Sequence, residues 1–331
     1  MAKLAWHAQR TTEAGKVWAR VQGGKQVDGT ELLALAPPGA LTVFRKYFAS
    51  YDFSGDPFEV AWRYVNAALS ELGNFRRPGL IVQVINETHQ RLGGPLELLA
   101  PVLQHLSNIL HQLGLKHGGP GFSTGNPTAA EFEYLRARNW CGLDYLIMNE
   151  YWADLGFTQD HALRHRTLWQ PGDPLVLVGE CGRDATGEGP NGHLAGWIAQ
   201  GVLGPQFLRE CMDYDAELAR DEYVKNAYVF TAGFHPPFGK FDIDTLCEQF
   251  AVDAVYVPEE EAPSMSVKDI VGEDKYNEWI AAGGNPEESA QRHFMATGAL
   301  PVTEADWITQ KDNVKSAIEE IALISRRLPK V

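Results

Sequence analysis

Two glutamates of this sequence directly follow short, largely apolar segments, at points where a strand would end. Glu87 follows LIVQVIN, and Glu180 follows PLVLVG. Two carboxyl groups in different surroundings can divide acid–base and nucleophilic roles between them. A single glutamate at such a point can also be a solvated loop charge, whereas two at comparable points favour a shared site.

The elements that position these glutamates are apolar β-rich segments alternating with amphipathic helical stretches up to about residue 250. This alternation is typical of βα units around a parallel sheet. Eight strands with helices between them predict an α/β fold, a closed (β/α)8 TIM barrel rather than an open sheet. The predicted strands are Lys3–Ala8, Lys25–Asp28, Leu41–Tyr47, Leu80–Asn86, Leu115–Gly118, Leu143–Asn149, Leu175–Glu180 and Ala227–Thr231.

Helix boundaries can be placed in the segment DPFEVAWRYVNAALSELG. Asp56 and Pro57 are residues that commonly begin a helix, and Gly73 is suited to ending one. The segment is therefore predicted to form one of the helices that surround the barrel.

The predicted domain division lies after residue 252. Residues 1–252 form the catalytic barrel, and residues 253–331 form an acidic linker containing PEEEAPSMS and a small C-terminal helical extension. The extension is predicted around residues 268–282, 286–297 and 303–327. It would be available to a protein partner or to self-association.

Composition excludes several classes of partner. The formal charge of −14 and the absence of a Lys/Arg run argue against nucleic acid and favour a neutral substrate. No stretch has 18 consecutive apolar residues, so no membrane association is expected. The N-terminal MAKLAWHAQR lacks a signal-peptide pattern, which predicts a cytoplasmic protein or one released by lysis.

Further site candidates lie at or just beyond the predicted strand ends, because a TIM barrel carries its active site at the C-terminal ends of its strands. They are predicted to contact substrate. These residues are His7, Arg45, Asn86, His117, Asn149, Glu150, Tyr151, Trp152, Phe234 and His235.

Asn86-Glu87 after the fourth strand and Glu180 after the seventh resemble the retaining glycoside hydrolases of clan A. The resemblance covers roughly residues 1–250. It implies that Glu87 is the general acid/base, that Glu180 is the nucleophile and that Asn86 binds a sugar 2-hydroxyl. Tyr151 is the nearest match to the clan's strand-six residue that contacts the nucleophile.

The sequence departs from the clan pattern after the eighth strand. The clan usually places a Trp there, whereas this chain has NAYVFTAGFHPPFG, in which Phe230, Phe234 or His235 could take that place. The departure leaves the particular family and sugar open.

The chemistry implied is hydrolysis of a β-linked glycan or glycoside by double displacement. This reaction needs two carboxyl groups about 5 to 5.5 Å apart, one protonated and one ionised. Arg45, at the end of the third predicted strand, is a suitable cation for the ionised group. The mechanism needs no cofactor and no metal.

Several alternatives remain open at this stage. Asn149-Glu150 repeats the Asn-Glu pair, so Glu150 would be the acid if the strand count were shifted. A metal site formed by His7, His117 and Glu180 lacks any HxH or HExxH motif. Ser123 in GFSTG lacks the surrounding strand-turn-helix pattern of a serine hydrolase, and no GxGxxG follows the first strand. The alternative functions are a cell-wall-degrading muramidase or lysin on the same barrel, and a non-catalytic barrel that binds carbohydrate or serves as a scaffold.

Overall fold

The structure, a computed structural model, describes residues 3–87, 96–153, 156–184, 196–233, 238–253 and 277. Eight parallel strands pair in chain order, and β8 closes on β1. The predicted TIM barrel is therefore confirmed. The strands are β1 (Leu4–Ala8), β2 (Gly24–Val27), β3 (Thr42–Arg45), β4 (Leu80–Gln83), β5 (Lys116–Phe122), β6 (Tyr145–Trp152), β7 (Leu175–Arg183) and β8 (Val224–Ala232).

Helices lie between the strands and pack on the outside of the barrel. In the described ranges they are α1 (Glu13–Ala19), α2 (Pro57–Leu72), α3 (Leu96–Gln112), α4 (Ala129–Arg136), α5 (His165–Leu168), α6 (Gly196–Ala199), α7 (Gly204–Leu218) and α8 (Cys247–Asp253). Short 3-10 turns lie at Leu33–Leu35, Asn139–Gly142, Phe238–Phe241 and Asp244–Leu246.

Helix α2 begins and ends where the sequence predicts. The Asp56 carboxylate accepts hydrogen bonds from the backbone N–H groups of Phe58 and Glu59, both at 3.0 Å. Pro57 occupies the first helical position, and Gly73 follows the last with a φ of 55°. These contacts satisfy backbone donors that a helix start leaves unpaired.

The strands β5, β6 and β7 extend past their predicted C-terminal ends. β6 continues from Asn149 to Trp152, and β7 continues from Glu180 to Arg183. In a sequence, polar residues and glycines after an apolar segment usually predict that the strand has ended. In a barrel they continue the ladder, because the side chains near the mouth face a ligand space instead of an apolar core.

Two apolar layers hold the barrel together. The larger layer lies between the strands and the outer helices. The smaller one fills the barrel interior below the mouth, and its members are fully or almost fully buried. It consists of Ala5, Val43, Ile81, Tyr145, Ile147, Leu177 and Tyr228, with Leu41 packed against it.

A buried ionic network joins β6 to the outer helices. The imidazole of His165 lies 2.8 Å from Glu150 Oε2 through Nδ1 and 3.1 Å from Asp221 Oδ2 through Nε2. The Tyr214 hydroxyl donates to Glu150 Oε2 at 2.9 Å. Burial of the ring works to lower its pKa, but the two carboxylates outweigh it and raise the pKa of His165 to about 9.

This network predicts a pH-dependent stability. Because the folded pKa of His165 lies above the ordinary 6.5, its contribution is fully present below about pH 6.5 and is lost as the pH rises through about 9. We expect the free energy of unfolding to fall by about 1 to 3 kcal/mol over that window. Urea denaturation across the pH range measures it.

His165→Gln is expected to remove this slope and to lower stability at pH 6. His105→Gln is the matched control, since His105 lies on α3 and makes a ring contact with Phe58. An unchanged slope in His165→Gln would contradict the assignment.

The chain divides into two units, Met1–Glu259 and Glu260–Val331. The barrel belongs to the first. The predicted linker and C-terminal helices lie outside the described residues apart from 253 and 277, so the division after residue 252 stays a prediction. Within the described ranges, no helix has the length and apolar character needed to cross a membrane.

Candidate active site at the mouth of the barrel

A β-bulge places Glu180 at the mouth of the barrel. Met148 on β6 pairs with Val178 on β7, but the next residue, Asn149, pairs with Glu180. One extra residue, Gly179, is therefore inserted into β7. The insertion brings Glu180 instead of Gly179 opposite Asn149. Bulges near functional sites commonly redirect a side chain in this way.

Glu180 is only 6% exposed, and polar side chains from four other strands lie around its carboxylate. Oε1 accepts a hydrogen bond from Arg45 Nη1 at 2.7 Å, and Oε2 accepts one from the Tyr151 hydroxyl at 3.1 Å. Lys25 Nζ lies 3.7 Å from Oε1, and His7 Nε2 lies 3.9 Å from the same atom. Arg45, Tyr151 and Lys25 thus lie around this carboxyl group from three different strands.

Lys25 is a site residue that the sequence analysis missed. It is fully buried, and its Nζ donates to the carbonyl of Gly179 at 2.9 Å. Burial lowers the pKa of Lys25 to about 7, although Glu180 works in the opposite direction. The available signal was a lysine within a predicted strand of a barrel, where an inward side chain needs a buried partner.

Glu87 approaches the same end of the barrel from the loop after β4. Its backbone has a φ of 53°, and its N–H donates to the Gly121 carbonyl at 2.7 Å. Asn149 Nδ2 donates to Glu87 Oε1 at 3.0 Å. Asn149 is therefore both the strand partner of Glu180 and a hydrogen-bond donor to Glu87, which brings the two glutamates to one site.

The Tyr151 hydroxyl lies close enough to both glutamates for their charges to affect its pKa. Burial raises the pKa of its hydroxyl well above the ordinary value, and the charges of Glu180 and Glu87 raise it further. Tyr151 therefore stays protonated and remains a donor to Glu180.

Asn86 is held in place before Glu87. Its Oδ1 accepts a hydrogen bond from Gln83 Nε2 at 2.9 Å, and its backbone N–H donates to the Tyr51 hydroxyl at 3.2 Å. Gly121 must be glycine here, because it has a φ of 72° and a Cβ would collide with the side chains of Asn86 and Gln83.

His7 is fully buried beside Glu180. Its Nδ1 lies 3.2 Å from Thr231 Oγ1, whose hydroxyl is placed to donate to the His7 carbonyl at 3.3 Å. Burial, together with Lys25 and Arg45, lowers the pKa of His7 well below its usual value, so the ring is neutral. Nε2 has no hydrogen-bond partner among the described residues.

Three predicted substrate contacts face away from this site, and the structure corrects them. Glu150 is fully buried against His165, which uses the opposite face of β6 from Asn149. Trp152 lies on that face too, and its indole N–H donates to Glu210 at 3.0 Å. His117 Nδ1 lies 2.7 Å from Ser107 Oγ on α3, so its ring packs outside the barrel.

The physical reason is the alternation of side chains along a strand, which sends neighbouring residues to opposite faces. Glu150 is therefore unsuited to be the acid, and His117 cannot join His7 and Glu180 around a metal. In the described part of the chain, no cluster of three or more His, Cys, Asp or Glu side chains is arranged to hold a metal ion. Phe234 and His235 lie outside the described residues.

The bulge generates a prediction for Gly179→Ala. A Cβ at this position would collide with Ile147, lie 2.8 Å from Asn149 Oδ1 and lie 3.4 Å from Lys25 Nζ. We expect a loss of about 1 to 3 kcal/mol in stability. Displacement of Asn149 should also alter the position of Glu87. Thermal denaturation and a crystal structure of the variant measure the two effects.

Gly119→Ala is the matched control on β5. A Cβ there would meet only Leu143 at 3.6 Å and His117 at 3.7 Å, which are ordinary contacts. Equal stability losses in the two variants would contradict a specific role for the glycine in the bulge.

No protein-family profile matches the chain, and no curated protein matches it. Solved structures do match. An endo-β-1,3-glucanase of family GH128 from Amycolatopsis mediterranei, solved with laminaritriose, has 12% identity and a TM-score of 0.49, covering 76% of this chain and 100% of its own. A GH128 endo-β-1,3-glucanase from Pseudomonas viridiflava has 16% identity and a TM-score of 0.46, with 77% and 98% coverage. A GH39 β-xylosidase from Caulobacter crescentus has 11% identity and a TM-score of 0.43, with 76% and 70% coverage.

Proposed function

We propose that this protein is a retaining glycoside hydrolase that cleaves β-glycosidic bonds, with Glu180 as the nucleophile and Glu87 as the general acid/base. The observation that carries the proposal is the pair of glutamates joined through Asn149 at one end of the barrel. Their different surroundings support different roles. The sequence resemblance to clan A assigns the roles in the same way.

The surroundings of Glu180 suit a nucleophile. Arg45 and Lys25 lie beside its Oε1, and the protonated Tyr151 fixes the orientation of Oε2. These groups are in place before substrate binds, so the reaction need not reorganise them. Glu180 would attack the anomeric carbon and form a covalent glycosyl ester.

Glu87 suits proton transfer. It is only partly buried, and one of its oxygens accepts the amide hydrogen bond from Asn149. In the first step it would give its proton to the departing glycosidic oxygen while that bond breaks. In the second step it would take a proton from water as the water oxygen attacks the anomeric carbon and Glu180 leaves as a carboxylate.

The substrate is a β-linked glycan or glycoside. Asn86 is held near Glu87 and would bind a sugar hydroxyl, in line with the clan resemblance. Nε2 of the neutral His7 would form a hydrogen bond with another hydroxyl. The net charge of −14 favours a neutral sugar over a polyanion.

The decisive experiment measures hydrolysis of aryl β-glycosides and β-glycans by the parent protein, Glu87→Gln and Glu180→Gln. We expect kcat/KM to fall by at least about 10³-fold in both variants, because each removes a reacting group. Azide should restore activity to Glu180→Gly and give a glycosyl azide of inverted configuration. Proton NMR of the first-formed product should show the β-anomer.

Glu150→Gln is the control, because Glu150 repeats the Asn-Glu pattern but lies in the His165 network. It should lower stability and leave kcat/KM within about threefold at a temperature where the variant is folded. Unchanged hydrolysis in Glu87→Gln or Glu180→Gln would refute this site. Glycan binding without turnover in every form would favour a binding barrel, and products from peptidoglycan alone would favour a wall-degrading enzyme.

A further inference from the structure

We propose that Lys25 is a positioning residue for the second half of the reaction, in which its ammonium group promotes departure of Glu180 from the glycosyl-enzyme. The inference rests on the proposed function. Hydrolysis of the glycosyl ester of Glu180 would then be fastest when Lys25 carries its positive charge.

Lys25 is buried beside the proposed nucleophile, where it has no exposed surface. Its side chain is fully buried on β2 and lies 3.7 Å from Glu180 Oε1 on β7. The other charged or titratable groups that act on it are Arg45 on β3, Glu87 after β4 and the neutral His7 on β1. Lys25 therefore acts on the reaction through Glu180.

The charge balance around Lys25 depends on Glu180. Burial disfavours the ammonium form most strongly, and Arg45 adds to that effect. Glu180 is the largest opposing influence, and the balance gives Lys25 a pKa of about 7. The ammonium form of the free enzyme is thus present below about pH 7, and it depends chiefly on the carboxylate beside it.

Formation of the glycosyl ester removes that carboxylate charge. The ammonium then stays buried beside Arg45 without its main counter-charge, which makes the intermediate with a protonated Lys25 less stable. In the second step the bond between the anomeric carbon and Glu180 breaks, and the electron pair returns to Glu180. A proton passes from water to Glu87, while Lys25 keeps its own proton and regains its counter-charge.

Arg45 cannot supply the same control. Its guanidinium contacts the same oxygen at 2.7 Å, but arginine keeps its charge throughout the working pH range. Lys25 is the cation at this site whose charge changes near neutral pH. The ester should lower its pKa further, so the ammonium is lost at or below about pH 7 in the intermediate.

The test follows breakdown of the trapped intermediate. Fluorinated dinitrophenyl β-glycosides of gluco, xylo, galacto and manno configuration are used to label Glu180, with mass spectrometry as the readout. After excess reagent is removed, recovery of activity gives the rate of the second step. The parent protein, Lys25→Met and the control Lys116→Met are compared from about pH 5.5 to about pH 9.

We expect recovery of Lys25→Met to be about 10- to 100-fold slower than that of the parent at about pH 5.5. The two rates should converge to within about threefold near pH 9, because the parent then also lacks the ammonium. With a reactive aryl glycoside, kcat and KM of Lys25→Met should fall together at low pH, since the intermediate accumulates. Lys116 is exposed at the start of β5, and its replacement should leave the recovery rate unchanged.

A merely structural role would slow recovery equally at every pH, and that result would overturn the inference. If Lys25→Met fails to fold, the parent alone decides, because a recovery rate that does not decline towards pH 9 also overturns it. Failure of the parent protein to form any labelled Glu180 would instead refute the proposed function.

Discussion

A buried carboxylate must be compensated, and the arrangement of charge around Glu180 follows from that requirement. Taking an ionised carboxyl group out of water is costly unless cations and hydrogen-bond donors replace the lost solvent. Arg45, Lys25 and Tyr151 supply this compensation from three different strands. The cations are concentrated beneath the mouth although the chain as a whole carries a net charge of −14. Local geometry therefore overrides the global charge at the point where the chemistry is proposed.

Successive side chains of β6 face the site and the outer helices in turn. Asn149 and Tyr151 face the mouth, where they contact Glu87 and Glu180. Glu150, between them, faces the outer layer and is held by His165. One short segment thus positions both proposed catalytic carboxyl groups on one face and anchors itself to the helices through the other. This anchoring limits the freedom of the residues that face the mouth.

The fold was predictable from sequence because its signal is repeated. Eight apolar segments alternate with helical ones. An error in the predicted end of one strand leaves the number of strands unchanged. Glu87 and Glu180 were predictable as candidates because each ends such a segment. Glu150 and His117 were not correctly predicted. A residue at a strand end is known to lie near the end of the barrel, but the sequence does not say whether its side chain faces the inside or the outside of the barrel. A shift of one residue reverses the face.

Lys25 and the bulge at Gly179 illustrate what sequence alone could not provide. A lysine in a four-residue strand resembles a solvated edge residue until the barrel closes around it. The extra residue in β7 becomes visible only when Asn149 is paired with Glu180. Both features depend on contacts between strands distant in sequence. The same interactions fix which way Glu180 points, so long-range pairing decides the chemistry more than local pattern does.

Several buried polar atoms near the mouth have no hydrogen-bond partner among the described residues. These atoms are His7 Nε2, Asn149 Oδ1, Gln83 Oε1 and Arg45 Nε. Each such atom costs stability if it remains dry. These four residues lie in or beside the group around Glu87 and Glu180, although buried polar atoms without a partner also occur elsewhere in the described part of the chain, as at His117 Nε2. A ligand rich in hydroxyl groups could satisfy donors and acceptors together, which is the behaviour expected of a site preorganised for a sugar.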